Sequence, residues 1–167
     1  MRVAGIIQDS IVDGPGLRFV VFAQGCHLRC DGCHNPGTWD LSGGTDMTTD
    51  EIIAQMRRNP LTDGLTLSGG EPFLQAAECV TLAKAARDDG LNVWIYTGYT
   101  FEELLAQTQN SHVRELLELT DILVDGPFEL SGRSLNLKWR GSRNQRVLDV
   151  PRSIADGHAV EKTDITK

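Results

Sequence analysis

The sequence predicts an α/β fold: a parallel sheet left open as a partial β/α barrel, in a single domain. Three observations carry this expectation. Apolar runs of strand length alternate with helical patterns along most of the chain. Strands that alternate with helices pair in parallel through right-handed crossovers. The 167 residues suffice for one domain with a real core, but fall short of the ~250 of a closed (β/α)₈ barrel.

The elements follow in order. Residues 3–11 (VAGIIQDSI) read as an edge strand, and residues 18–24 (RFVVFAQ), rich in Val and Phe, as the first inner strand. Thr48 and Glu51 have the spacing of a capping box, which starts a helix over 48–58. Residues 64–68 (GLTLS) form the next strand, and the alanine-rich stretch 73–90 a helix that stops at Gly90. Residues 92–97 (NVWIYT) are a strand. Thr100 and Glu103 repeat the capping-box spacing before a helix over 101–107, and a further helix covers 112–119. Residues 121–125 (DILVD) and 145–150 (QRVLDV) complete the strands. The domain is expected to span 1–150, and the polar tail 151–167 to be loosely ordered.

Composition narrows the function. Apolar content of 40% and charged content of 23% are ordinary for a globular protein. No apolar run approaches the ~20 residues of a membrane span. The first ten residues are too few and too polar for a secretory signal, so the expected setting is cytoplasmic, without a membrane. A net charge of −7 argues against nucleic acid as a partner. Residues 131–146 depart from this balance. They carry Arg133, Lys138, Arg140, Arg143 and Arg146 and no acid. They read either as a solvated face or as a docking surface, to which Trp139 would contribute.

The unusual motifs share one location. In parallel α/β proteins, ligands gather at the carboxyl ends of the strands. GCHLRCDGCHNP (25–36) follows the strand 18–24, SGGEP follows 64–68, TGY follows 92–97, and Asp125-Gly126 ends 121–125. The first motif is Cys26-x-x-x-Cys30-x-x-Cys33. Three thiolates from one short loop hold three corners of a cubane iron–sulfur cluster and leave the fourth iron open. His27 and His34 leave a Cys₃His zinc site as the structural alternative, and an electron-transfer cluster is another. Cys79, on the helical run, reads as a core residue. Asp125 and Thr97, at strand ends, read either as contacts to a cofactor or as caps of turns and helices. Asp13, in DGPG, reads either as shaping a loop over the site or as a plain turn residue, and Trp39 either as a wall of the site or as core. His112 and His158 read as surface residues.

CxxxCxxC, followed about forty residues later by LSGGEP (67–72), resembles the radical S-adenosylmethionine enzymes. That resemblance implies a [4Fe–4S] cluster on Cys26, Cys30 and Cys33, with S-adenosylmethionine chelating the free iron. It also implies that Gly69, Gly70 and Glu71 hold the methionine amino end. Within the superfamily, DGPGLRFVVFAQGC and CHNPGTWD resemble the activases of glycyl-radical enzymes. VWIYTGYTFEEL, DILVDGPFE and LKWRGSRNQRVLD resemble the activators of anaerobic ribonucleoside-triphosphate reductase in particular. The resemblance covers roughly residues 8–150. Gly32 stands where many superfamily members have an aromatic residue near the adenine. His34 follows Cys33 as in the pyruvate formate-lyase activases, whereas Tyr96 replaces their acidic residue.

The resemblance implies an enzyme. A reductant, flavodoxin or ferredoxin, passes one electron to the cluster. S-adenosylmethionine is cleaved to methionine and a 5′-deoxyadenosyl radical, which takes hydrogen from a glycine of the reductase large subunit. The cofactor-binding set so expected is Gly32, Cys33, His34, Gly69, Gly70, Glu71, Thr97 and Asp125. Two alternatives keep the cofactor chemistry: an activase of the pyruvate formate-lyase type, or an enzyme acting on a small molecule. A third is a zinc-binding interaction domain or electron carrier.

Overall fold

The structure is a computed structural model that describes residues 1–107 and 109–164. Its strands are β1 (Arg2–Ser10), β2 (Arg18–Ala23), β3 (Thr45–Asp46), β4 (Gly64–Gly69), β5 (Asn92–Tyr96), β6 (Ile122–Asp125) and β7 (Arg146–Asp149). Its helices are α1 (Thr49–Met56), α2 (Ala76–Asp88), α3 (Phe101–Ala106), α4 (Ser111–Leu119) and α5 (Val150–Asp156). One sheet holds the strands in the order β3-β1-β2-β4-β5-β6-β7.

The four central strands are mutually parallel. Arg18 to Ala23 pair with Gly64 to Gly69, and β5 and β6 continue in the same sense. The flanks are not parallel: β1 runs antiparallel to β2 and β3, and β7 antiparallel to β6. The sheet is therefore mixed, with a parallel centre. β1 is also not the edge on its side, because β3 lies outside it. β7 follows β6 through a long loop with no crossover helix, which leaves it free to return antiparallel.

Both capping boxes form. Thr48 and Thr100 each accept from the backbone N–H three residues on, while Glu51 and Glu103 reach back to the cap backbone. The helix expected from 73 begins as a 3-10 turn, Pro72–Gln75, and becomes α2 at Ala76. The tail departs furthest from expectation. Residues 150–156 are α5, capped by Asp149, started by a proline in its first turn and ended by Gly157 at φ 72°. Val150 and Ser153 are buried. Beyond α5 the chain returns along β7: Leu148 bridges Glu161, and Lys162 N–H donates to the Val147 carbonyl at 2.7 Å. Residues 165–167 of the expected tail lie outside the described residues.

Alternate residues of the strands face different surroundings. Phe19, Val21, Leu65, Leu67, Val93, Ile95 and Leu123 belong to the main core, together with residues of α1, α2, α3 and α4. The intervening residues include Arg18, Thr66, Ser68, Trp94 and Tyr96. A small second cluster of Trp94, Ile122, Val124 and Val147 is roofed by Trp139, edge-on to Trp94 at 5.9 Å. Trp139 thus packs inward, although the basic segment containing it suggests a partner contact. Among the described residues, no helix is long and apolar enough to cross a membrane.

Candidate functional site

The carboxyl ends of β2, β4, β5 and β6 converge on one cavity. Cys26, Cys30 and Cys33 line it, with Gly69, Gly70, Glu71, Thr97, Gly98 and Gly126. The chain reaches this arrangement by tethering both ends of the cysteine loop. Gly25 N–H donates to the Thr38 carbonyl at 2.8 Å, and Cys26 N–H to that of Trp39 at 3.2 Å. The Gln24 side chain donates to the carbonyls of Gly37 and Asp40. Within the loop, Cys33 N–H closes a turn on Cys30, and Asn35 N–H points at the Cys33 sulfur at 3.4 Å. All three thiols are partly exposed, whereas Cys79 is buried. Burial pushes the Cys26 thiol up from its ordinary value, so loading a metal there displaces a proton.

The SGGEP segment is a splice between strands. Gly70 N–H donates to the Ala23 carbonyl at 2.7 Å and Glu71 N–H to that of Gly25 at 2.8 Å. A Cβ on Gly70 would stand 2.3 Å from the Gly25 oxygen. Gly69, at φ 93°, would place one 2.7 Å from the Ala23 nitrogen. The two glycines are therefore needed first for the approach of β4 to the root of the cysteine loop.

Glu71 is fully buried. Its carboxylate accepts from Thr97 Oγ1 at 2.9 and 3.0 Å, Gly98 N–H at 2.9 Å and Phe73 N–H at 3.1 Å. It joins the ends of β4 and β5. Burial pushes its pKa up to about 7, opposed by those donors. Glu71 therefore braces β4 against β5 while it lines the cavity, and three donors leave part of its acceptor capacity unused.

Asp125 has a different setting. It is fully buried and does not line the cavity, where Gly126 takes its place. Its carboxylate accepts from Phe101 N–H at 2.8 Å and from Arg146 Nε at 3.0 Å, so it caps α3 and anchors β7. Arg146 also pairs with Glu102 at 2.7 Å. Of the two readings open in the sequence, the cap is the one formed. Thr97 lines the cavity but spends its hydroxyl on Glu71 and on Tyr99 N–H. Gly32 is exposed at φ 75° and packs toward Leu130 outside the cavity.

The remaining metal-binding candidates are engaged elsewhere. His27 Nε2 meets the Tyr99 hydroxyl at 2.8 Å, and the His34 ring packs on Phe128 at 5.0 Å. A Cys₃His site would have to break one of these contacts. Among the described residues, no three Cys, His, Asp or Glu side chains converge tightly enough to grip a single ion. A set of three thiols in one loop is the donor set of a cluster with one open corner. Trp39, open in the sequence between core and site wall, lines the same cavity, and its buried indole N–H has no hydrogen-bond partner among the described residues. Tyr96 lies between this cavity and a second groove lined by His34, Phe128, Trp139 and Arg140. The alternation of Thr66 and Ser68 with Leu65 and Leu67 is the sequence signal for a groove on that face.

Comparison with known proteins agrees with this geometry. The family described as "4Fe-4S single cluster domain" matches residues 12–148. The anaerobic ribonucleoside-triphosphate reductase-activating protein of Vibrio cholerae is 38% identical over 147 residues, 83% of this chain and 91% of its own length. That of Salmonella typhimurium is 36% identical over 155 residues, covering 88% and 97%. The pyruvate formate-lyase-activating enzyme of Clostridium pasteurianum is 41% identical over 141 residues, but the match covers 79% of this chain and 58% of that enzyme. The thiol loop, the matched cluster domain and the near full-length relatives place this chain in the family of anaerobic ribonucleoside-triphosphate reductase-activating proteins.

Proposed function

We propose that this chain activates an anaerobic ribonucleoside-triphosphate reductase by installing a glycyl radical on its large subunit. The proposed cofactors are a [4Fe–4S] cluster on Cys26, Cys30 and Cys33 and S-adenosylmethionine. One observation carries this reading. The three thiols share a cavity with the glycine-rich ends of three parallel strands, while His27, His34, Glu71 and Asp125 are held by partners of their own. When bound, cluster and cofactor supply one-electron cleavage of the cofactor's carbon–sulfur bond and a carbon radical able to take hydrogen from a glycine Cα.

The chain's own residues bind, orient and shield. The cysteine loop presents three thiolates from a tethered backbone. Gly69 and Gly70 offer main chain without side-chain obstruction, and Glu71 keeps the β4 and β5 ends in register. Trp39, Phe128 and Tyr96 wall the cavity and limit water. No general base is required, so the bound state of the Glu71 and Asp125 carboxylates is compatible with the reaction. The open face of the sheet, with Tyr96 and Phe128 at its floor, is where a glycine-bearing loop would enter. In this reading the sheet is a partial barrel of the radical S-adenosylmethionine type, the reductant is a flavodoxin or ferredoxin, and the setting is cytoplasmic.

A second reading, activation of a pyruvate formate-lyase, draws on the 41% identity to that enzyme. Coverage favours the reductase, since the chain spans 91% and 97% of two reductase activators.

Electron paramagnetic resonance tests the proposal. Reconstituted protein, dithionite, S-adenosylmethionine and the reductase large subunit, mixed anaerobically, should give a glycyl-radical doublet that needs every component. A reduced-cluster signal perturbed by S-adenosylmethionine, with no doublet, would assign the cofactor chemistry to another substrate. Absence of any cluster signal after reconstitution would return the site to zinc.

A further inference from the structure

The cavity beside the thiols and the groove past Tyr96 share one boundary. Cys33, Ser68, Gly69, Tyr96, Phe128 and Gln145 line both. Gln145 is the one that the segment 131–146 contributes. The proposed function, on which this inference rests, puts the cofactor in the cavity and the protein substrate at the groove. The boundary between them then governs how the two meet.

Gln145 holds that boundary through its side-chain amide. Its Oε1 accepts from Gly141 N–H at 2.9 Å and from Ser142 N–H at 3.2 Å. Its Nε2 donates to the Gly126 carbonyl, at the end of β6, at 3.1 Å. This last bond fixes which end of the amide faces the turn, because only the nitrogen can donate to a carbonyl. Main-chain bonds close the same turn. Gln145 N–H donates to the Ser142 carbonyl at 3.2 Å, and Arg140 Nη1 to the Gln145 carbonyl at 2.8 Å.

The turn presents Gly141 to the rings beside the cysteine loop. A Cβ on Gly141 would stand 3.0 Å from Phe128 and 3.3 Å from His34, so the main chain approaches both rings more closely than a side chain allows. Two residues earlier, Trp139 has φ 60°, in the left-handed region that bulky residues avoid, and its ring packs edge-on against Trp94. Strain and close approach of this kind persist only where the surroundings impose them. The Gln145 amide is one such constraint, and it acts from the boundary itself.

We propose that Gln145 is a positioning residue. Its Oε1 sets the turn that carries Trp139 to Ser142, and through Gly141 the placing of Phe128 and His34 beside Cys33. Cofactor cleavage in the cavity is thereby matched to removal of hydrogen from the substrate glycine at the groove.

The test compares the unaltered protein with Gln145→Ala, Gln145→Glu and Asn144→Ala. Asn144 donates to the Pro127 carbonyl at 2.7 Å in the same loop but lines neither the cavity nor the groove. Hydrogen exchange on the cluster-free protein follows the Gly141 and Ser142 amides. Both should exchange about ten-fold faster or more in Gln145→Ala, and at the original rate in Gln145→Glu, whose carboxylate keeps the two acceptor bonds. The second quantity is glycyl radical formed per 5′-deoxyadenosine, under dithionite with the reductase large subunit. It should fall about five-fold or more in Gln145→Ala and stay within about two-fold of the original in the other two. Loss of folded protein would lower both products together and leave their ratio unchanged. An unchanged ratio in Gln145→Ala would overturn the proposal. So would an equal fall in Asn144→Ala, or a fall in Gln145→Glu with its amides still protected. If Gln145→Ala does not fold, Gln145→Met, of similar length but without the amide, takes its place. Failure of the activase reading looks different: the unaltered protein would form no 5′-deoxyadenosine, while the exchange measurement would still report on the turn.

Discussion

The two ends of the parallel strands both bury charged side chains, and Arg18 at one end and Glu71 at the other are treated in opposite ways. At the amino ends, Arg18 is fully buried. It donates to Thr66 Oγ1 at 3.0 Å, to the Leu65 carbonyl at 2.7 Å and to Asn92 Oδ1, and its guanidinium lies 5.8 Å from the centroid of the Trp94 ring. Gly64 has no side chain because the guanidinium lies over it, 2.2 Å from where a Cβ would stand. Burial pushes the Arg18 pKa down to about 10, which still leaves it charged at neutral pH. At the carboxyl ends, Glu71 is held only by donors, and its pKa of about 7 sits within the working range. The same strands thus carry one end that is filled and another whose brace borders an open cavity. Stability and chemistry are divided along their length, as in other parallel α/β folds.

Substitutions can break or sharpen this division. The largest effect belongs to the open end. Cys26→Ala, Cys30→Ala and Cys33→Ala should each lose bound iron and reduce S-adenosylmethionine cleavage to background, while thermal unfolding changes little. Buried Cys79→Ala should keep its iron and lose only about 1 kcal/mol of stability. A loop variant with full iron and full turnover would remove its cysteine from the ligand set.

At the closed end the effect should move from function to stability. Arg18→Ala leaves several buried acceptors unmet and opens a cavity, for a loss of about 3–5 kcal/mol in urea unfolding. Iron bound per folded molecule should remain unchanged at low temperature. If iron were lost while stability held, the two ends would not be separable.

Glu71 sharpens the contrast through pH. Its folded pKa is raised from 4.5 to about 7. Between those values the folded chain keeps a proton that the unfolded chain has released. This contribution is therefore fully present below about pH 4.5 and is lost as pH rises through 7, by about 3 kcal/mol. Urea unfolding of the cluster-free protein near pH 5 and near pH 8 reads it. Glu71→Gln should narrow the difference between the two conditions, and an unchanged difference would place the titration elsewhere. The smallest effect is expected at neither end: Thr48→Ala removes one capping box and should cost about 1 kcal/mol in thermal unfolding, with iron content intact.

Features set by local chemistry were legible in the sequence. The two capping boxes, the cysteine loop and the gathering of motifs at strand ends needed only short spacings and the order of elements. Features set by distant partners were not. Nothing in QRVLDV says which way β7 runs, because the apolar pattern of a strand is the same in either direction. Asp125 looks like a ligand at a strand end until Arg146 arrives from across the following loop. Glu71 looks free until β5 brings Thr97 and Gly98 beside it. α5 did leave a signal, since Asp149, Pro151 and Gly157 mark a start and a stop. The polarity of the intervening residues hid it.

The return of the chain after α5 bears on self-association. A strand at the border of a sheet offers unpaired amides and carbonyls to any other extended chain, including another copy of itself. On β7 those groups are already used: Asp149 N–H donates to the Val160 carbonyl at 2.9 Å, and the Val147 carbonyl receives Lys162 N–H. The polar stretch after Gly157 therefore works as a hem. Trimming it would leave the cavity-lining residues untouched and still expose a ready template for intermolecular β-pairing.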